Sequence, residues 1–456
     1  MVDRLTESRM YAHLWTTDEL HAVFAEEHRL QAWLDILVAL AAAQAELGII
    51  PEEAAREIAG GARYERLDMD YVTAETRATS HSTLGLVRGL QRILSPAAAE
   101  WVYYGATVQD LTDTWTATAM AKVGTVVWRD LGEIERLLID MARQHRDTVM
   151  AGRTHGQPGA PITFGLKAAG WADEVQRHRD RLRQGAPRWL VGQLAGAVGA
   201  LAFFGGSGTA LRAAFCARLG LTDPGISWTS SRDRIAEFGS LLAMITATLA
   251  RIGNEVYQLQ RPEIGELREA SGTTTVGSIT MPHKRNPEGS EHIVTLSRLV
   301  RANAALLVEG MVAEHERDGR AWKTEWPAFT EVCLLSGLAV QLSRDLLRGL
   351  EVDVAAMARN LEAAGGALAS ERLLAELAPA LGKHRAQTEL HEAIQRARAA
   401  GDVTGQALRQ VADGHLQEAT VSRLMETPDT GECGTMVDEV VRRCAQSLAT
   451  EALEWP

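Results

Sequence analysis

The stretch Leu30-Gln-Ala-Trp-Leu-Asp-Ile-Leu-Val-Ala-Leu-Ala-Ala-Ala-Gln-Ala-Glu-Leu47 decides the fold class. Leu30, Trp33, Leu34, Leu37, Leu40, Ala41 and Leu47 recur at three- and four-residue spacing, the period of a helix with one apolar face, and Gln44 is the one polar interruption on it. Gly48 offers a stop, and Pro51 followed by Glu52 and Glu53 opens a second helix. Working outward, Thr163 to Leu182, Arg232 to Arg268, Glu288 to His315 and Phe329 to Leu350 are long segments with few breakers. Such lengths suit a bundle. No alternating run of Val, Ile, Thr and aromatic residues is bounded by hairpin turns, so strand signals are weak and the expected fold is all-α. Long helices that are apolar on more than one face need partners, here expected from other subunits.

The chain has 456 residues, 46% apolar and 23% charged, the balance of a globular protein with a substantial core. A net charge of −12 argues against a general nucleic-acid binder and leaves room for a local cationic pocket for a small anion. Cys216, Cys333, Cys433 and Cys444 lie far apart without Cys-x-x-Cys spacing, which points to a reducing cytoplasm rather than a disulfide or zinc framework. Met1 to Met10 carries Asp3, Arg4, Glu7 and Arg9 and lacks the apolar core of a signal peptide. Leu194 to Gly206, read as the most apolar stretch, is Gly-rich and shorter than the roughly 18 residues of a membrane span. No membrane or nucleic-acid partner is expected. Joints near Gly105 and Val352 divide the chain into 1–105, 106–351 and 352–456.

Glycine, threonine, serine and proline cluster around Tyr104 to Asp113, Gly152 to Thr163 and Ser271 to Pro287. Breakers in a helical chain mark loops, and loops on rigid helices commonly carry function. In the third cluster, small uncharged residues give way to Lys284, a point charge, Arg285, a fork for a carboxylate, and Asn286, an amide donor. By charge alone this reads either as a lid with an anion clamp or as a solvated basic turn before a helix. In Gly152-Arg-Thr-His-Gly-Gln-Pro158, His155 is a candidate acid or base near neutral pH, or a structural histidine bonded to backbone. Thr154 and Gln157 beside it suit a carboxylate oxygen or a helix cap. His81 and the group Thr107, Gln109 and Asp110 are similar polar islands, and an N-cap accounts for Thr107 or Asp110 equally well. There is no His-Glu-x-x-His, phosphate loop or dinucleotide fingerprint, so no metal or cofactor is expected.

Gly277-Ser-Ile-Thr-Met-Pro-His-Lys-Arg-Asn-Pro287 resembles the signature Gly-Ser-Ser-x-Met-Pro-x-Lys-x-Asn of the fumarase/aspartase superfamily. Gly105-Ala-Thr-Val-Gln-Asp110 and Gly152-Arg-Thr-His-Gly-Gln157 are similar to its first and second conserved regions, in the expected order. The resemblance runs from about Met10 to about Leu361, and is greatest to the branch holding adenylosuccinate lyase and 3-carboxy-cis,cis-muconate cycloisomerase. Ala313-Glu-His-Glu-Arg-Asp318, followed by Trp322 and Trp326, reads like the cycloisomerase, whereas the serine-rich arginine motif of the purine enzyme is not evident. Val108, Ile279 and Ser82 depart from the family pattern.

The resemblance implies a three-domain helical subunit, a homotetramer built on its long central helices, and active sites each assembled from three subunits. It implies Ser278 as base, His155 as acid, and Lys284 and Asn286 holding the substrate carboxylate, with Thr107, Gln109, Thr154, Gln157, His81 and Arg285 completing the substrate contacts. Closure of Ser271 to Met281 over a small di- or tricarboxylate would exclude water. The expected reaction is an anti β-elimination that cleaves a C–N bond of a substituted succinate and releases fumarate, with ammonia, an amine or nitrite leaving, as in a nitrosuccinate lyase. The alternatives are the cycloisomerase and a catalytically inactive structural homologue.

Overall fold

The computed structural model describes residues 5–270, 278–281, 283–401 and 404–450. Eight helices matter for the site: α1 (Glu26–Glu46), α2 (Val108–Gln144), α3 (Phe164–Trp189), α4 (Asp233–Leu259), α5 (Glu288–Glu309), α6 (Gly319–Arg348), α7 (Val354–Ala363) and α8 (Cys433–Thr450). The fold is all-α with, among the described residues, two small two-stranded antiparallel sheets, one pairing β1 (Val149–Thr154) with β2 (Gln157–Thr163), the other β3 (Leu267–Arg268) with β4 (Glu351–Val352).

The face read in α1 is the one that packs: Trp33, Leu34, Leu37, Leu40 and Ala41 are buried. Gln44 is fully buried too, because its amide donates to the Tyr104 carbonyl at 2.7 Å. The longest helix, α2, was hidden from the apolar period by the polar groups it buries, among them Thr112, Asp113, Thr114, Asp130 and Glu135. Each of the three acids has an arginine from outside α2: Asp113 takes Arg232, Asp130 takes Arg344, and Glu135 takes Arg179. Helix α4 ends at Leu259 rather than running to Arg268, and Pro262 and the left-handed Gly265 follow. Helix α6 starts ten residues before the expected Phe329, with Asp318 accepting from Arg320 N–H as its cap and Pro327 accommodated inside it.

The hairpin β1–β2 corrects the expectation of an irregular loop. Gly152, Pro158, Gly159 and Pro161 broke the alternating pattern, and proline is tolerated here because each strand of a two-stranded sheet keeps one free edge. Among the described residues helix α4, not Leu194 to Gly206, is the segment long and apolar enough to cross a membrane, and 67% of its most apolar window is buried inside the bundle. That is the composition of a core helix.

Directions within the bundle follow from side-chain pairs. Arg232, just before α4, bonds Asp113 near the start of α2 and Glu325 near the start of α6, so these three helices run together. Helices α3 and α5 run the other way: Lys167 near the start of α3 pairs with Glu255 near the end of α4, and a Cβ on Gly253 would lie 3.6 Å from the Ser290 Cα. After β4 the chain forms a second, smaller core around Leu373, Leu377, Leu390 and Leu408. The last helix, α8, then returns to the main core through Val437, Val441 and Cys444, with Asp438 bound by Arg146 at 2.8 Å. Helix α8 thus buries its apolar face on α2 and α3.

Candidate active site

The candidate residues fall at opposite ends of the bundle. Helix α2 has 37 residues and, at about 1.5 Å per residue, spans about 55 Å. Thr107 caps its first turn, whereas the hairpin carrying His155 begins five residues after its last. The segment bearing Ser278 to Asn286 joins the hairpin end, since it leads directly into α5, whose first turn lies beside the last turns of α4.

At the hairpin end, Thr154 pairs with Gln157, so His155 and Gly156 are the two central residues of the turn. Both have positive φ, 52° and 75°, the geometry of a type I′ turn that favours glycine. A histidine held there, with Thr154 and Gln157 exposed on either side, presents its ring to solvent. The hairpin is fixed from beneath: Arg153 donates to both oxygens of the fully buried Glu266, at 2.8 and 2.7 Å, and Asn360 on α7 donates to the same carboxylate at 2.8 Å. Glu269 holds the start of α5, accepting from the N–H groups of Gly289 and Ser290 at 3.1 and 2.9 Å. Negative charge at a helix N-terminus is favourable. The Met281 N–H donates to Ser278 Oγ at 3.0 Å, and Lys284 N–H donates to the Met281 carbonyl, closing a tight turn. Lys284 and Arg285 are exposed and Asn286 half-buried, while Ile279 is 95% exposed. Most of the expected lid, 271–277, lies outside the described residues.

At the other end, Thr107 is the N-cap of α2 and its N–H donates to Asp110 at 2.8 Å, so the capping explanation holds. Its hydroxyl accepts from Arg317 Nη1 at 2.8 Å. Asp110 also accepts from the N–H groups of Ala195 and Gly196; burial pushes its carboxyl up to about 7 against the pull of those donors and of Arg317. Gln109, expected to touch substrate, is fully buried within the protomer and donates to Asp113 and to the Thr229 carbonyl, at 3.2 and 2.9 Å. It faces inward because Thr229 closes over it, with its own hydroxyl bonded to the Glu316 carbonyl at 2.7 Å. Exposed His81 accepts the Leu84 N–H on Nδ1 at 3.2 Å, which leaves Nε2 free to carry a proton outward.

The sequence reading missed the charges that hold these ends in place. Arg232 is 1% exposed and bonds both oxygens of Asp113 and both of Glu325. Arg153 lay inside a quoted motif but its partner lies 113 residues away, and Arg317 served only as a branch marker. Nothing local signals such pairings. A search of the described residues finds no cluster of three or more His, Cys, Asp or Glu side chains able to hold a metal.

A protein family described as "Lyase" matches residues 14–301. The chain is 36% identical over 445 residues to the N-acetyl-S-(2-succino)cysteine lyase of Dickeya dadantii, covering 97% of this chain and 98% of that protein. It is 37% identical over 430 residues to the nitrosuccinate lyase of Streptomyces davaonensis, covering 90% of each. The crystal structure of 3-carboxy-cis,cis-muconate lactonizing enzyme from Pseudomonas putida superposes with a TM-score of 0.89 at 32% identity, over 97% of this chain and all of that one. With the signature loops of the sequence standing on the long-helix fold of such proteins, the chain belongs to the fumarase/aspartase superfamily of lyases.

Proposed function

We propose that the protein is a homotetrameric lyase that eliminates a heteroatom-linked group from a 2-substituted succinate and releases fumarate. The observation that carries this reading is the bond from the Met281 N–H to Ser278 Oγ. A serine hydroxyl is a weak base in water, and a backbone donor aimed at its oxygen stabilises the alkoxide it must become. That alkoxide takes the proton from the carbon beside one carboxylate, whose oxygens gain the charge. Lys284 and Asn286 are the donors for the resulting dianion. As the bond to the heteroatom breaks, its electrons stay with the leaving group, the carbanion pair forms the C=C bond, and His155 supplies the proton.

These groups cannot meet Thr107 and His81 inside one subunit across a helix of about 55 Å. Sites shared between subunits resolve this. The exposed apolar side chains Met244 on α4 and Leu299, Leu306 and Val308 on α5 supply the face on which subunits would join. The relatives' names include both nitrogen and sulfur attachments, so the heteroatom is either. The cycloisomerase is the second reading, favoured by the superposition on the lactonizing enzyme.

The test is a parallel screen of nitrosuccinate, aspartate, argininosuccinate, adenylosuccinate, N-acetyl-S-(2-succino)cysteine and carboxymuconate, following fumarate or lactone. Fumarate from a nitrogen- or sulfur-linked succinate is the expected result. Lactone alone would establish the second reading, and inertness toward all six would favour a structural homologue.

A further inference from the structure

A recess at the Thr107 end of the bundle is lined by Trp33 of α1, Thr112 and Trp115 of α2, and Trp322, Trp326 and Phe329 of α6. The indoles stack edge-on, Trp326 with Trp322 at 5.1 Å and with Trp33 at 6.4 Å. Three neutral groups of the lining are buried donors without a hydrogen-bond partner: Trp33 Nε1, Trp322 Nε1 and Thr112 Oγ1, on residues 5%, 9% and 3% exposed. A buried donor left without an acceptor is destabilising, because it has given up its bond to water for nothing. Both indole N–H groups and the hydroxyl therefore call for an acceptor. The carboxylates in the wall, Asp113 and Glu325, are each bound on both oxygens by Arg232 and are not available to serve as one.

The recess has room for the tip of a ligand, a void of about 20 Å³. It shares Arg29, Trp326 and Thr330 with the wall of a wider cleft of about 650 Å³ bordered by His21, Lys323 and the acids Glu7 and Glu26. Thr112 and Trp115 lie five and eight residues along α2 from Thr107, about 8–12 Å at the helical rise. A leaving group attached to a succinate anchored at Thr107 spans such a distance.

We propose that this recess is the subsite for the distal tip of the leaving group, and that the tip is a neutral acyl or amide carbonyl. The inference rests on the lyase reading above. Aromatic walls with neutral donors suit an uncharged acceptor, whereas a phosphate dianion would be desolvated among four indoles beside Asp113 and Glu325, which already share Arg232, and the wall's own cation, Arg29, lies over the Trp115 ring at 5.8 Å. The subsite sets which 2-substituted succinate is turned over.

The experiment compares N-acetyl-S-(2-succino)cysteine with S-(2-succino)cysteine, which lacks only the acyl group, in the wild type and in Trp33→Phe and Trp322→Phe. Phenylalanine keeps an aromatic ring and removes the N–H. The expected result is a wild-type preference in kcat/KM for the acylated substrate, with the preference falling at least threefold in each variant. A preference that is absent, or that survives both substitutions, overturns the subsite and leaves the lyase reading standing. Calorimetric titration with N-acetyl-L-cysteine against L-cysteine supplies an activity-free arm. Weaker binding of the acylated thiol in both variants, with no fumarate from any succinate, keeps the recess as an acyl site and overturns the lyase reading. Equal binding of the two thiols by the wild type counts against the subsite.

Discussion

Arg153 and Glu266 are joined by two hydrogen bonds, 2.8 and 2.7 Å long, between a residue one position before Thr154 and a fully buried carboxylate just before β3. The pair ties the histidine hairpin to the strand that leads toward Ser278. Asn360 donates to the same carboxylate and thereby adds the first helix after the bundle. One buried acid thus registers three segments that are distant in sequence.

Glu266→Gln should uncouple them. The substitution keeps the shape and removes the charge opposite Arg153, which is 18% exposed, so the loss is smaller than for a fully buried pair, about 2–3 kcal/mol. Urea denaturation would measure it. Turnover should fall by more than tenfold while helix content by circular dichroism is unchanged. A variant with wild-type turnover would show that the hairpin is held by other contacts.

Ser278→Ala should bind substrate and turn over several orders of magnitude more slowly, because only the proton-abstracting oxygen is lost. If sites are shared between subunits, co-assembling Ser278→Ala chains with His81→Ala chains restores some activity, since the two residues stand at opposite ends of each subunit and some sites then receive both intact. Verified mixed tetramers without recovered activity would count against shared sites.

Arg232→Met leaves Asp113 and Glu325 buried side by side without a counter-charge, a loss of about 3–5 kcal/mol. Burial already holds the Glu325 carboxyl above the ordinary carboxylate range, and losing the guanidinium that opposes this should raise it further. The variant should therefore bind more protons folded than unfolded, and its stability should rise as the pH is lowered from 8 to 5. Urea midpoints at the two pH values are the measurement. A small, pH-independent change would mean that the triad contributes little.

His178 is 4% exposed and neutral, with burial and the nearby Arg181 pushing its pKa down to about 4. Thr248 donates its hydroxyl to Glu174 at 2.6 Å, so the 2.8 Å bond between His178 and Thr248 must have the ring Nε2–H as donor. A depressed histidine pKa means that the unfolded chain gains the proton first. The resulting stability is complete above about pH 6.5 and is lost as the pH falls toward 4, roughly 3 kcal/mol in all. In His178→Gln the stability lost between pH 6.5 and 4.5 should shrink. An unchanged acid limb would assign that loss to other groups.

The sequence by itself determined the helical class, because the three-and-four spacing of Leu30 to Leu47 admits no strand, and it determined the family, because Gly277 to Pro287 carries a specific pattern. It also marked the loop that turns at His155 and offered an N-cap at Thr107 or Asp110, both of which depend on residues within a few positions. Tertiary structure alone decided where those pieces stand. The hairpin was masked by its glycines and prolines, and α2 by acids whose arginines come from outside it. Gln109 turned inward because Thr229, 120 residues away, offers its carbonyl. Burial and long-range charge pairing are properties of packed helices, and no local pattern of residues encodes them.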